Sequence, residues 1–281
     1  MSAKRFCLAL GLAAVGCGGG GGSPTSATLP PAPTPLQVSV FDGWTGQPVT
    51  AAISPQSPLP GATLTAVAGG YLPRVQTAAS QLYLWPAEDE YVRALVYSEF
   101  SNKLLNKWPD GFTIGLDAAL FDDEDVHAVA DETAAEVSRV TGLRVVVGRT
   151  GAVTVTLDPD DGHILANEAL AYTTVSSQAN RIVSSRIVFG ERKYILGAGG
   201  AVVKRNTLLH ELGHAIGLGH SLSSDDVMCP SWPRRNERTY SPGEEVSLRL
   251  MYRYRAPGNA APDREAGIAA AAGAQTVVIV D

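Results

Sequence analysis

One eleven-residue stretch constrains this chain more than any other: His210-Glu211-Leu212-Gly213-His214-Ala215-Ile216-Gly217-Leu218-Gly219-His220. Two histidines at i and i+4 project from the same face of a helix, so both imidazoles can reach one ion. Glu211 sits between them, within hydrogen-bonding reach of a water held by that ion. Gly217 can take the left-handed conformation that ends a helix and turns the chain back. That turn brings in His220 as a third ligand. Three nitrogen ligands leave a tetrahedral Zn²⁺ one position for water, which is the arrangement of a catalytic rather than a structural site. Three of the five histidines in the chain fall within this stretch. Its fixed residues recur by chance at on the order of 10⁻⁸ per start position.

The remaining composition narrows the setting. The chain has 281 residues and a net charge of −6, from 22 Lys+Arg against 28 Asp+Glu. That acidity argues against a nucleic-acid partner, which requires a basic stripe. No run of eighteen strongly apolar residues occurs, so no transmembrane helix is expected. Three cysteines cannot staple a small disulfide scaffold.

The N-terminus has the shape of an export signal: Lys4 and Arg5, an apolar stretch from Phe6 to Val15, then small residues. It ends Ala14-Val15-Gly16-Cys17, which resembles the bacterial lipobox with alanine in place of the usual leucine at its first position. Residues 1–16 read as a lipoprotein signal peptide and Cys17 as the lipidation site. Membrane attachment is then through the N-terminal lipid only, and the expected location is the outer membrane or cell surface of an exporting bacterium. Removing residues 1–16 takes Lys4 and Arg5 with it and leaves 20 basic against 28 acidic residues, a net charge of −8. Residues 17–35 hold the run GGGGGSPTSATLPPAPTP, a flexible-to-extended tether that cannot bury apolar area.

Residues 36–108 read as all-β. Leu36–Val40 alternates with period two, Asp42-Gly43-Trp44-Thr45-Gly46 is a turn, and β-type runs follow at Ala62–Val67, Leu82–Trp85 and Tyr91–Tyr97. A small sandwich is expected. Its opening VSVFDGWTGQPV loosely resembles carboxypeptidase-regulatory-like and immunoglobulin-like modules. Residues 109–257 follow a different order. A strand at Phe112–Leu116 precedes a helix over Asp122–Thr141, with Val126, Val129, Ala130, Ala134, Val137 and Val140 on one face and an acidic first turn. Strands are expected at Leu143–Val147, Val153–Leu157, Ala169–Val175 and Ile182–Phe189. A Gly-rich loop at Gly197–Gly200 then leads to a helix from Val202 to Gly217. The fold class is α+β. The tail, residues 258–281, holds Thr276–Val280, which either adds a strand or stays loose.

HELGHAIGLGHS resembles the extended zinc motif of the metzincin metallopeptidases, closest to the matrixin-like branch through the Gly217-Leu218-Gly219-His220-Ser221 ending. The resemblance implies a twisted five-stranded sheet, an active-site helix and a C-terminal helix. It implies one catalytic Zn²⁺ held by His210, His214 and His220, with Glu211 as general base and a protein or peptide as substrate. Asp226-Val227-Met228-Cys229-Pro230 fits the family's methionine turn, which makes Met228 an apolar pedestal rather than a ligand, with Gly217 as structural support. Ser241-Pro242-Gly243-Glu244-Glu245 then starts the closing helix, expected over Val246–Tyr254. By the same resemblance, Leu170–Val175, with Ala171, Tyr172 and Thr173 at its centre, is the exposed sheet edge on which an extended substrate lies. Ser231–Tyr240 walls the side-chain pocket, with Trp232 and Tyr240 either lining it or packing.

Departures from the family bear on regulation. Matrixins block zinc with a propeptide cysteine, but no Cys lies between Ser23 and Gly219. Asp158, Asp160, Asp161 and His163 read as a solvated acidic turn, His127 as a packing or surface residue, and Cys229 as a small buried residue. Two other classes remain open to the sequence: a surface-anchored binding or adhesion protein with a vestigial metal site, and a zinc hydrolase acting on a non-peptide amide. The intact Glu211 argues against the first, since a structural zinc site has no use for it.

Overall fold

The computed structural model describes residues 32–71, 73–86, 106–197, 207–230, 239–254 and 274–280. Thr34–Asp281 forms a compact unit distinct from Met1–Pro33. The signal peptide, Cys17, the strand expected at Tyr91–Tyr97, and Trp232 lie outside the described residues.

Five short strands open the unit: β1 (Ser39–Asp42), β2 (Ala52–Ser54), β3 (Thr63–Val67), β4 (Arg74–Thr77) and β5 (Gln81–Leu84). β2, β3 and β4 form an antiparallel sheet, while β1 and β5 pair in parallel. Their alternation buries Val40, Leu64, Ala66, Leu82 and Leu84 in a shared core. Asp42 explains the DGWTG turn, because its Oδ1 accepts the N–H groups of Trp44 and Thr45, each at 2.7 Å.

A larger α/β assembly follows. Its elements are β6 (Phe112–Leu116), α1 (Ala118–Phe121), α2 (Glu124–Thr141), β7 (Val145–Gly148), β8 (Val153–Leu157), α3 (Gly162–Asn167), β9 (Ala171–Gln178) and β10 (Arg181–Phe189). After these come α4 (Arg192–Ile195), α5 (Thr207–Ala215), α6 (Pro242–Arg249), a π-helical turn over Leu250–Tyr254, and β11 (Ala274–Val280). The apolar stripe of α2 is buried as its period requires. Asp123 caps its first turn through Val126 N, and Gly142 ends it at φ +81°. Asp123 also pairs with Arg192, whose guanidinium pulls its carboxyl down to about 2.

The sheet order is β11-β9-β10-β8-β6-β7. β7, β6, β8 and β10 run parallel, and β9 is antiparallel to β10. Two expectations are corrected here. Among the described residues the sheet has six strands rather than five, because Ala274–Val280 pairs antiparallel with Tyr172–Gln178 of β9. Of the expected edge Leu170–Val175, the part from Tyr172 to Val175 is therefore not open, since the strand is paired on both sides there. The pairing is driven by the alternation of the tail, which buries Ile279 and half-buries Val277 while Thr276 and Val278 face out. A smaller difference is that the acidic stretch near Asp161 winds into α3, capped by Asp161.

The two parts of the unit meet through apolar contacts. Trp85 and Trp108 are buried in the core of the larger assembly. A Cβ on Gly43 would lie 2.2 Å from Leu250 Cδ2, so the turn after β1 sits directly against the π-helical turn.

Candidate metal centre

α5 is buried on all sides, with every residue from Leu208 to Ala215 inside the protein. Its partners are β9 and β10 of the sheet on one side and α2 on another. His210 and His214, one turn apart, bring their Nε2 atoms to 3.2 Å. The chain then turns back in a Schellman motif: Leu218 N donates to Gly213 O and Gly217 N to His214 O, each at 2.9 Å. Gly217 has φ +100°, and a Cβ there would also lie 2.4 Å from Asn106 O, so two separate constraints demand glycine. Trp108 Nε1 and Tyr252 Oη donate to the carbonyls of Ala215 and Ile216, at 2.9 and 2.6 Å, and fix the end of the helix.

The turn delivers His220. Its ring centroid lies 4.7 Å from that of His214 and 5.7 Å from that of His210. One nitrogen from each of the three imidazoles falls within 4.8 Å of the others. Among the described residues this is the one cluster of His, Cys, Asp or Glu with such a geometry. His210 and His214 are buried, and His220 is partly exposed, so the cluster opens to solvent on the His220 side.

The residues fit a zinc ion on an independent ground. His210 Nδ1 lies 2.6 Å from Val227 O and His214 Nδ1 lies 2.9 Å from Leu218 O. A carbonyl can only accept, so each Nδ1 carries the proton and each Nε2 presents a lone pair. Two lone pairs facing each other at 3.2 Å repel, and a shared cation turns that repulsion into coordination.

Behind the histidines the chain returns as a compact loop. Ser221 N donates to Met228 O at 2.8 Å, and the Ser221 hydroxyl donates to Asp226. Met228 is fully buried, and a Cβ on Gly213 would lie 2.1 Å from its Sδ. The thioether thus packs directly on the backbone of α5 between the two histidines. Glu244 holds this loop in place: Oε1 accepts Met228 N and Oε2 accepts Ser241 N, both at 2.7 Å. Burial pushes the Glu244 carboxyl above its ordinary range, and the hydrogen bonds it accepts oppose that shift.

Glu211 is fully buried and turned towards β9, where the Thr173 hydroxyl donates to Glu211 Oε2. Thr173, named on the sequence as part of a substrate strand, therefore lies beside the histidine cluster. Ala171 and Tyr172 precede it in β9, and Tyr172 donates to Asp161 Oδ2 at 2.9 Å. Tyr240 is a packing residue, whose hydroxyl donates to Leu209 O at 3.2 Å beneath α5. His127 packs on the Phe121 ring, and His163 packs on Tyr172. Neither joins the cluster. Cys229 is buried and forms no disulfide among the described residues.

Sequence reasoning missed two residues that shape the centre. Gly213 carried a signal, because glycine inside a helix costs about 1 kcal/mol against alanine and needs a reason. Glu244 carried the Ser-x-x-Glu capping-box pattern with Ser241, which places it on the first turn of α6 but does not reveal its second partner, Met228.

Residues 119–246 match the matrixin family model. No curated protein matches the chain. Among solved structures, an inactive mutant of the GH20 exo-β-N-acetylglucosaminidase from Vibrio harveyi is similar at 15% identity, over 54% of this chain and 22% of that one. Its TM-score of 0.22 is too low to bear on fold or activity. The matrixin match spans α2, the sheet strands β7 to β10, the histidine cluster and the start of α6, and by it this chain carries a matrixin-like metzincin domain, a metallopeptidase of the zinc-dependent kind.

Proposed function

We propose that the protein is an endopeptidase that cuts extended polypeptide with His210, His214 and His220 as zinc ligands and Glu211 as general base. The observation that carries this reading is the joint placement of three convergent imidazoles and one buried carboxylate on and beside a single helix. When bound, zinc supplies a Lewis acid that polarises the scissile carbonyl and acidifies water towards a pKa of roughly 7. Glu211 takes the proton of the attacking water and returns it to the leaving amine. Thr173 orients that carboxylate. Gly217 and Met228 hold the geometry, one by its turn and the other by packing under α5.

The remaining assignments belong to the same proposal. Residues 1–16 are a signal peptide, Cys17 is lipidated, and the chain is displayed on an outer membrane or cell surface. Residues 36–108 and 109–257 are the β module and the peptidase domain.

The deciding experiment measures bound zinc and cleavage of an unfolded protein, for the parent and for Glu211→Ala. Zinc is expected to be retained in the variant while turnover falls by roughly two to four orders of magnitude. Equal turnover in the variant would overturn the role of Glu211, and absence of zinc from the parent would overturn the site. Incorporation of radiolabelled palmitate, lost in Cys17→Ser, tests the anchor.

A further inference from the structure

The centre has one feature that its proposed chemistry does not use. β9 is the strand whose Thr173 reaches Glu211, so its outer side is where an extended peptide could be held by main-chain hydrogen bonds next to the histidines. That side is taken. β11 pairs with it antiparallel from Ala274 opposite Gln178 to Val280 opposite Tyr172, with Ile279 opposite Thr173 itself. The stretch is apolar and extended, like a bound substrate, and its inward side chains Val277 and Ile279 are half-buried and buried. The chain between the π-helical turn and β11, residues 255–273, is dominated by Ala, Gly and Pro. No Cys lies between Ser23 and Gly219, so a thiol block from that stretch is not expected.

We propose that β11 is an internal competitor, a strand of the chain's own tail that occupies the substrate position on β9 and must leave before an extended peptide can bind. The proposal rests on the endopeptidase reading and specifies how that site is regulated. A peptide and β11 compete for the same donors and acceptors of β9, so the apparent affinity for peptide is the intrinsic affinity multiplied by the fraction of time β11 is away. With β11 docked for about nine-tenths of the time, apparent affinity drops about tenfold, and KM rises while kcat stays put.

Two full-chain, zinc-loaded variants test this. Ser176 and Thr276 are direct partners across β9 and β11, with their hydroxyl oxygens 3.2 Å apart. Directly opposed residues of an antiparallel pair have Cα separations that a disulfide can span. Ser176→Cys/Thr276→Cys therefore locks the strand when oxidised and frees it when reduced. Val277→Asp/Ile279→Asp places charges in the buried face of β11 and drives it off. Each is combined with Glu211→Gln, and binding of a fluorescent extended peptide is followed by anisotropy, with the parent treated with the same reductant as control. Cleavage of that peptide is measured in the Glu211 background.

The expected result is that the oxidised lock loses binding, its reduced form regains it, and the released variant binds about tenfold tighter than the parent with a lower KM. Equal binding by the oxidised and reduced lock would overturn the proposal, because β11 would then be a permanent sixth strand. That comparison decides the matter even if the released variant does not fold. Failure of the endopeptidase reading has a different signature: binding that follows the lock, with no cleavage by any form carrying Glu211.

Discussion

Met228 N donates to Glu244 Oε1 at 2.7 Å, and the other oxygen of that carboxylate holds Ser241 N, so one buried side chain ties the loop beneath the histidines to the first turn of α6. Replacing it leaves two buried N–H groups without an acceptor. Glu244→Ala is expected to lower the unfolding free energy by roughly 2–5 kcal/mol, and Glu244→Gln, which keeps one acceptor oxygen, by about half as much. Urea unfolding of the zinc-free proteins measures this directly. Zinc affinity, followed by competition with a chromogenic chelator, is expected to weaken in the same order, because Met228 and Val227 lie in one loop and Val227 O orients His210.

Gly213→Ala reverses the usual sign of a helix substitution. In an open helix the change stabilises by about 1 kcal/mol. Here the new methyl would lie 2.1 Å from Met228 Sδ, and a core with no room is expected to lose about 1–3 kcal/mol. Met228→Ala on its own opens a cavity. Combined with Gly213→Ala it is expected to recover part of that loss, a coupling that a double-mutant cycle by thermal or urea unfolding will show.

The sequence disclosed the parts of this molecule that are local and periodic. The stripe from Val126 to Val140 gave α2, the alternation from Phe112 to Leu116 gave β6, and the spacing of His210, His214 and His220 around Gly217 gave the cluster and its turn. What it withheld is non-local. Nothing near Thr276–Val280 says that its partner is β9 rather than solvent, and that single pairing converts an expected open edge into a closed one. The Glu244 link to Met228 crosses sixteen residues, and the capping pattern is complete without it. α3 was missed for a local reason: six residues opening on Gly162 resemble a turn, and Asp161 as a cap is visible only once the turn continues.

Lys107 makes stability depend on pH at the alkaline end. It lies 7% exposed, with its ammonium donating to the carbonyls of Met251 and Tyr252 at 2.7 and 3.2 Å. Burial, with the charge of Arg74 as a second cause, lowers it to about 8 from 10.5. Between those values the unfolded chain binds more protons at this position than the folded one, so stability rises with pH across that window. Below the lower value the contribution has been lost in full. Lys107→Met is expected to remove this component. The difference between parent and variant unfolding free energies, measured from pH 7 to 10.5, isolates it.

Thr173 offers the sharpest separation of chemistry from packing. Its hydroxyl is fully buried and donates to Glu211, the proposed base. Thr173→Val keeps the shape and the strand preference of the residue but removes the donor. A hydrogen bond to a charged group is worth about 1.5–3 kcal/mol, so kcat is expected to fall roughly 10- to 150-fold. KM and bound zinc are expected to stay near the parent values, since neither the three imidazoles nor the hydrogen-bonding side of β9 is altered. Thr173→Ser, which restores the hydroxyl, is expected to recover most of the loss. A purely structural threonine would show the opposite pattern: thermal unfolding would shift with Thr173→Ser, which loses a buried methyl, while kcat followed neither substitution.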